Sequence, residues 1–395
     1  MTTRSKLPPT VYLLGLTIFS LVTAEFMVAG MMPALAAAFS VSLAQVGNLI
    51  ALYALGMALG GPPVTVLLLS RGIGNQRALV GLLAVYVLAG ALAAAAPTYL
   101  VLASARIVMG VSSAACIGLC MTLCAGLVSL QDRGRAISVV LAGLMLSPVA
   151  GVPMTAWVEH HYGWRASAWL VVALASICTV LAATRLPRAG AGVEPSLGSQ
   201  WISLKNRSLW GAYVTSGLII GATFAAFSYC TPILIEEVGV APAQVAPLLA
   251  LYGVANVLGN IVVGRLADRH TYAVLGWGLA LLVLALGGFA LAGQVFWLNL
   301  GCFLTVGLTG VALNPAMVAR VMKAAEPGAL VNTLHTSVIT AGLALGSWAG
   351  GAVIDAGLGL RAPLWVGAGM ALLGLLSLLR PWYHATPAAA ARCGG

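Results

Sequence analysis

The sequence predicts an all-α membrane protein of twelve membrane-crossing helices in two pseudo-symmetric six-helix halves. Three observations predict it: the composition, the number of apolar runs and an internal repeat. Of 395 residues, 61% are hydrophobic and 7% charged, and the mean hydropathy is +1.02. Soluble domains carry about 25% charged residues, so this chain has too little charge to cover a water-facing surface. A soluble enzyme, a nucleic-acid binder and a disulfide-stapled secreted module are all poor fits. The net charge of +10 does not revive the nucleic-acid reading. The cations stand in ones and twos between apolar runs, as at Arg71 and Arg77 or Arg265 and Arg269, and form no patch.

The runs come next. A helix needs about 20 apolar residues to cross a hydrocarbon core ~30 Å thick. Such runs cover 11–35, 43–69, 78–95, 99–128, 136–158 and 166–184, then 209–233, 244–264, 273–292, 296–318, 330–354 and 363–379. They are spans one to twelve. Lys and Arg set the orientation. With the N-terminus in the cytoplasm, only Arg165 and Arg361 fall outside, and Arg106 lies within span four. Both termini are therefore expected in the cytoplasm, in a cell inner membrane. Ala34-Leu35-Ala36 resembles a signal cleavage site, but the preceding stretch is too long and carries Glu25, so span one is read as a retained anchor. Cys116, Cys120 and Cys124 share a face of span four and read as small packing residues. No metal is expected there or at His160-His161, since neither group has enough ligands nearby.

The repeat divides the chain. Ala44-Gln45-Val46 through Leu49, Ala51-Leu52-Tyr53 recurs as Ala243-Gln244-Val245 through Leu248, Ala250-Leu251-Tyr252, an offset of 199, and Pro33 and Pro232 share that offset. Gly163-x-Arg165-Ala166-x-x-Trp169 recurs as Gly359-x-Arg361-Ala362-x-x-Trp365. The expected organisation is a first bundle at 1–184, a Pro/Gly-rich cytoplasmic linker at 185–208, a second bundle at 209–380 and a short cytoplasmic tail at 381–395. Two six-span units in the same orientation place a substrate cavity between them and suit alternating access by rocking.

Local motifs add chemistry. Gly264-Arg265-Leu266-Ala267-Asp268-Arg269 follows span eight at an expected cytoplasmic turn. Gly264 would permit close helix approach there, and Asp268 and Arg269 could form a latch that breaks as the halves rock. The copy after span two is degraded, with Ser70 near the place of the acid. In span five, Gly143-x-x-x-Ser147-Pro148-x-x-Gly151 combines small residues for close packing with a proline that bends the helix. Span four carries Arg106-x-x-x-Gly110. With Ala24-Glu25-Phe26-Met27-Val28-Ala29-Gly30 in span one, these elements resemble the major facilitator superfamily. Within it, they resemble the twelve-span drug:proton antiporter family, in its arabinose-efflux and chloramphenicol-exporter-like branch. Ser147 and Val152 replace two glycines of the family's span-five pattern. The resemblance implies the two-bundle fold, gating roles for Gly143, Pro148, Gly151, Gly264, Asp268 and Arg269, and proton-coupled export.

Glu25 is the acid placed inside a span. A charged side chain there costs about 2.5–3.5 kcal/mol on insertion scales, which argues for a task. A carboxyl withdrawn from water favours its protonated form, so Glu25 is the candidate for proton and substrate coupling. Arg106 is the intramembrane cation. At ~1.5 Å per residue, both lie about 10 Å from the outer face, so they are expected to sense each other's charge; snorkelling or bonding to backbone carbonyls is the alternative for Arg106. Tyr53, Tyr252, Asn256, Asn260, Asn314 and His335 are candidates to line the cavity, or to make helix-packing hydrogen bonds. The expected function is a proton-driven exporter of small organic compounds, drugs or antibiotics of chloramphenicol-like type, and not an enzyme. A sugar or metabolite exporter and a non-transporting sensor are the alternatives. No cofactor is expected beyond the proton gradient; the partners would be a small-molecule substrate, protons and the lipid bilayer, with the chain a monomer.

Overall fold

A computed structural model describes residues 7–129, 131–187, 206–325 and 329–379, except for the side chains at 62, 65, 66, 69, 70, 329, 330 and 379. Most of the expected linker, the expected tail, the Ser70 side chain and both Glu194 and Glu326 therefore lie outside the described residues. Among those described there is no strand. Ten helices are long and apolar enough to cross a membrane. The twelve runs fit onto them because Pro242–Leu291 carries spans eight and nine, broken at His270 (φ −126°, ψ 36°), and the shorter apolar helix Ala362–Leu379 is the twelfth.

The helices turn back at two faces. Chain ends 7, 187, 206 and 379 share one, here the near face; the turns around 41, 97, 163, 239, 294 and 358 mark the far face. The expected turn at 264–269 is a correction: these residues are helical, and the chain reverses only at His270. Arg265, Leu266, Ala267 and Arg269 are good helix formers, and they carry span eight one turn further than the charges suggested.

The first helix of each half is broken, which hydropathy did not show. Span one runs Pro9–Gly30 and resumes at Met32–Phe39, with Met31 at φ −120°, ψ 19°. Span seven runs Arg207–Phe227 and resumes at Cys230–Pro232, after Tyr229 at φ −108°, ψ 11°. Pro33 and Pro232 follow the breaks. Pro33 has no N–H to offer the Ala29 carbonyl four residues back. The Thr231 hydroxyl of the other half donates to that carbonyl instead, at 2.7 Å. A second tie between halves, Ser347 Oγ to the Gly47 carbonyl at 3.1 Å, also lies toward the far face.

The arginine repeat takes the same form twice. Gly163 (φ 83°) and Gly359 (φ 85°) occupy the left-handed region that glycine favours, each two residues before an arginine. Arg165 Nη2 donates to the Ala96 carbonyl at 3.1 Å; Arg361 Nη1 donates to the Phe289 and Ala290 carbonyls at 3.1 and 3.3 Å. Each guanidinium thus covers the carbonyl end of the third helix of its half, where cations are favoured. Arg361 also pairs with Glu237 at 3.0 Å.

Candidate functional site

The polar centre of the first half is assembled by Arg106-x-x-x-Gly110. These positions lie one turn apart on the same helix face. At Gly110 a Cβ would stand 2.1 Å from the Tyr53 carbonyl oxygen, so only glycine lets span four close against span two. That approach carries Arg106 into reach of three main-chain carbonyls. Nη1 donates to Ala24 at 2.6 Å, Nη2 to Glu25 at 2.9 Å and Nε to Leu49 at 3.3 Å. The guanidinium carbon lies 4.2 Å from the Tyr53 ring centroid, and Arg106 is 1% exposed. Tyr53 donates to the Leu21 carbonyl at 3.3 Å. Beside it lie the buried hydroxyls of Tyr86 and Ser113.

Glu25 is 6% exposed. The structure brings Glu25 and Arg106 together inside one half rather than across a cavity, and the guanidinium sits on the Glu25 carbonyl, not on its carboxyl. Among the described residues no hydrogen bond or ion pair reaches that carboxyl. A small cavity of about 20 Å³ lies on the other side of Arg106, lined by Tyr86, Met27, Met31 and Trp164 among others.

Span five packs on span one as its small residues suggested. A Cβ on Gly143 would stand 2.0 Å from the Gly15 carbonyl oxygen, and one on Gly151 would stand 2.0 Å from Thr23 Oγ1. Pro148 lies in a π-helical turn, Ser147–Gly151; Ser147 accepts a hydrogen bond from Thr23 at 3.1 Å. Around span eight the picture differs. A Cβ on Gly264 would meet only Pro315, at 3.9 Å, so the close approach expected there is absent. Asp268 and Arg269 are exposed. Lys323 donates to the Asp268 carbonyl at 3.1 Å and to Thr271 at 2.8 Å, while the Asp268 carboxyl has no partner among the described residues.

Few of the cavity-lining candidates face open space. Tyr53 belongs to the Arg106 cluster. Tyr252 is stacked between Phe227 and Phe303, each at 4.9 Å. His335 bonds Ser216 Oγ at 3.0 Å and stacks on Tyr213, a satisfied histidine between spans seven and eleven. Asn256 is buried and Asn260 and Asn314 half-buried. Two groups escaped the sequence reading. Arg320, assigned to a loop, is 6% exposed and donates to Thr215 Oγ1 at 2.6 Å; its i+3/i+4 spacing from Met317 and Ala316 was the available signal. The other is an aromatic group across the seam. Phe26 of span one lies 5.1 Å from Phe224 and 6.4 Å from Phe227 of span seven. The signal for Phe224 was the repeat, because Glu25 plus the offset of 199 is Phe224.

Comparison with known proteins fits this architecture. The sequence profile of the Major Facilitator Superfamily matches residues 14–329 and 215–394. The chain is 34% identical over 365 residues to the inner membrane transport protein YdhP of Escherichia coli K12, covering 92% of this chain and 93% of that protein. It is 29% identical over 375 residues to a chloramphenicol resistance protein of Streptomyces lividans, covering 94% and 95%. A bacterial homologue of the human lysosomal transporter Spinster, solved inward-facing and occupied, superposes with TM-score 0.71 at 16% identity, over 95% of this chain and 97% of that one. The POT family transporter PepTSo gives TM-score 0.77 at 12% identity, over 95% and 98%. This chain belongs to the Major Facilitator Superfamily, as its motifs suggested. It is a multi-pass membrane protein of a family of transporters, which are not enzymes.

Proposed function

We propose that this transporter exports small organic compounds in exchange for protons, by alternating access, from an inner membrane with both termini in the cytoplasm. Glu25 is the proton carrier. The observation that supports this is the contrast between halves: the second half builds the same helix crossing with apolar rings where the first uses a buried arginine beside a buried acid. The crossing does not need those charges, and burying them is costly. Ionised, Glu25 accepts hydrogen bonds from a substrate; protonated, it loses that capacity on one oxygen. Proton and substrate then compete, which links inward proton flow to outward substrate flow. The relation to a chloramphenicol resistance protein makes chloramphenicol the first compound to test.

The test is efflux from proteoliposomes under an imposed pH gradient, with chloramphenicol, ethidium and a set of sugars. Gradient-dependent efflux of a drug supports the reading. Sugar efflux alone would make this a metabolite exporter, and transport indifferent to the gradient would overturn proton coupling.

A further inference from the structure

We propose that the seam beside Glu25 receives an aromatic ring, and that Phe224 is a specificity-determining residue for it. The inference rests on the reading above that Glu25 belongs to the substrate site. Glu25 and Phe224 are equivalent positions of the repeat, one on the first helix of each half. Phe26, the next residue after Glu25, crosses to the other half and lies 5.1 Å from Phe224 at an interplanar angle of 31°. Phe227 stands edge-on to both, at 6.4 Å from Phe26 and 5.7 Å from Phe224. Phe26 is the partly exposed member. Behind the trio, the stack continues through Tyr252 to Phe303, which backs the seam with a packed wall.

The Phe26–Phe224 contact joins the halves, so any opening at this level separates the two rings. A planar aromatic ring entering the gap restores two ring contacts in place of the one lost, whereas an aliphatic group of the same size restores only apolar burial. The neighbouring Glu25 carboxyl, with no side-chain partner among the described residues, accepts a hydrogen bond from the same ligand. Arg106, committed to three carbonyls, lies close enough to offset the carboxylate charge, so a net positive charge on the ligand is not required. The ligand class is a compound with a planar aromatic ring and an adjacent O–H or N–H donor.

Equilibrium binding to the full chain in nanodiscs tests this with two matched pairs. One is chloramphenicol against its analogue with cyclohexyl in place of nitrophenyl; the other is 2-phenylethanol against 2-cyclohexylethanol. The ring-bearing member should bind about three- to tenfold more tightly, the range expected of an aromatic contact. Phe224→Leu should remove most of that preference, and Phe224→Trp should keep it. Phe26→Leu, at a partly exposed position, gives the same readout if Phe224→Leu does not fold. No preference in the wild type, no binding of either ring-bearing probe, or a preference unchanged in both leucine variants overturns the inference. Ring-selective binding without gradient-driven efflux would instead defeat the export reading and leave the ring site standing.

Discussion

The two halves share a backbone plan and differ in what fills it. In the second half, Gly307 lets span ten close on span eight at the Tyr252 carbonyl, as Gly110 lets span four close on span two at Tyr53. One turn before each glycine stands Arg106 or Phe303, and each lies over the matching tyrosine ring, at 4.2 and 4.9 Å. Glu25 is answered by Phe224. Around a tyrosine common to both, one scaffold thus carries an acid and a guanidinium on one side and two phenylalanine rings on the other. The second half is an internal control: it shows the same crossing packed with rings in place of the acid and the guanidinium.

Substitutions can break this comparison, and the glycines should have the largest effect. Gly110→Ala places a Cβ 2.1 Å from a backbone oxygen, against 3.0 Å for Gly307→Ala. The first should lose stability at or beyond the top of the ~1–3 kcal/mol that overpacking costs, and the second clearly less. Thermal unfolding in detergent checks the order; equal losses would mean that the two crossings are equally close-packed despite their different clearances.

Next in size is the exchange of the central groups. Removing the Arg106 cation beside Glu25 makes the protonated acid easier to keep. Arg106→Ala should therefore move the pH dependence of export to more alkaline values, with a lower maximal rate. Phe303→Leu removes buried ring volume and the contact with Tyr252, so it should cost about 1–3 kcal/mol, and leave the pH profile in place. Efflux measured across pH for both variants sharpens the comparison, and an unmoved profile in well-folded Arg106→Ala would show that the guanidinium only braces span one.

The smallest effects are expected at the near face. Asp268→Asn should slow transport severalfold while equilibrium binding stays within twofold, because the carboxyl has no partner among the described residues in this conformation and would act in another. Gly264→Ala should raise stability by about 0.5–1 kcal/mol, as alanine for glycine does within a helix, since its Cβ meets only Pro315 at 3.9 Å. A large loss of affinity in Asp268→Asn would remove the latch.

The sequence made the helical plan legible because hydropathy and span length are properties of single segments. Even the fused helix Pro242–Leu291 holds two of the expected spans. Breaks within spans were less legible. Met31 and Tyr229 carry ordinary apolar neighbourhoods, and only Pro33 and Pro232 two or three residues later mark the breaks, the first of them leaving the Ala29 carbonyl to the other half. At the site, helix arithmetic gave the shared depth of Glu25 and Arg106 but not the partner of the guanidinium, because main-chain carbonyls have no sequence signature. Arg320 was assigned to a loop by its charge alone, although the helix Asn314–Ala324 carries it inward on the same face as Met317. The aromatic seam was missed because no single phenylalanine stands out; Phe224 gains meaning only once the repeat sets it opposite Glu25.

The account rests most heavily on Glu25 as the group that couples protons to export. Glu25→Gln keeps the shape and hydrogen bonding of the protonated carboxyl and removes its titration. In proteoliposomes, with an inserted and folded variant confirmed by its monodisperse elution in detergent, efflux driven by an imposed pH gradient should fall to the level of protein-free vesicles. Exchange of internal for external compound at saturating concentration, without a gradient, should persist. Undiminished pH-driven efflux by Glu25→Gln would contradict the account.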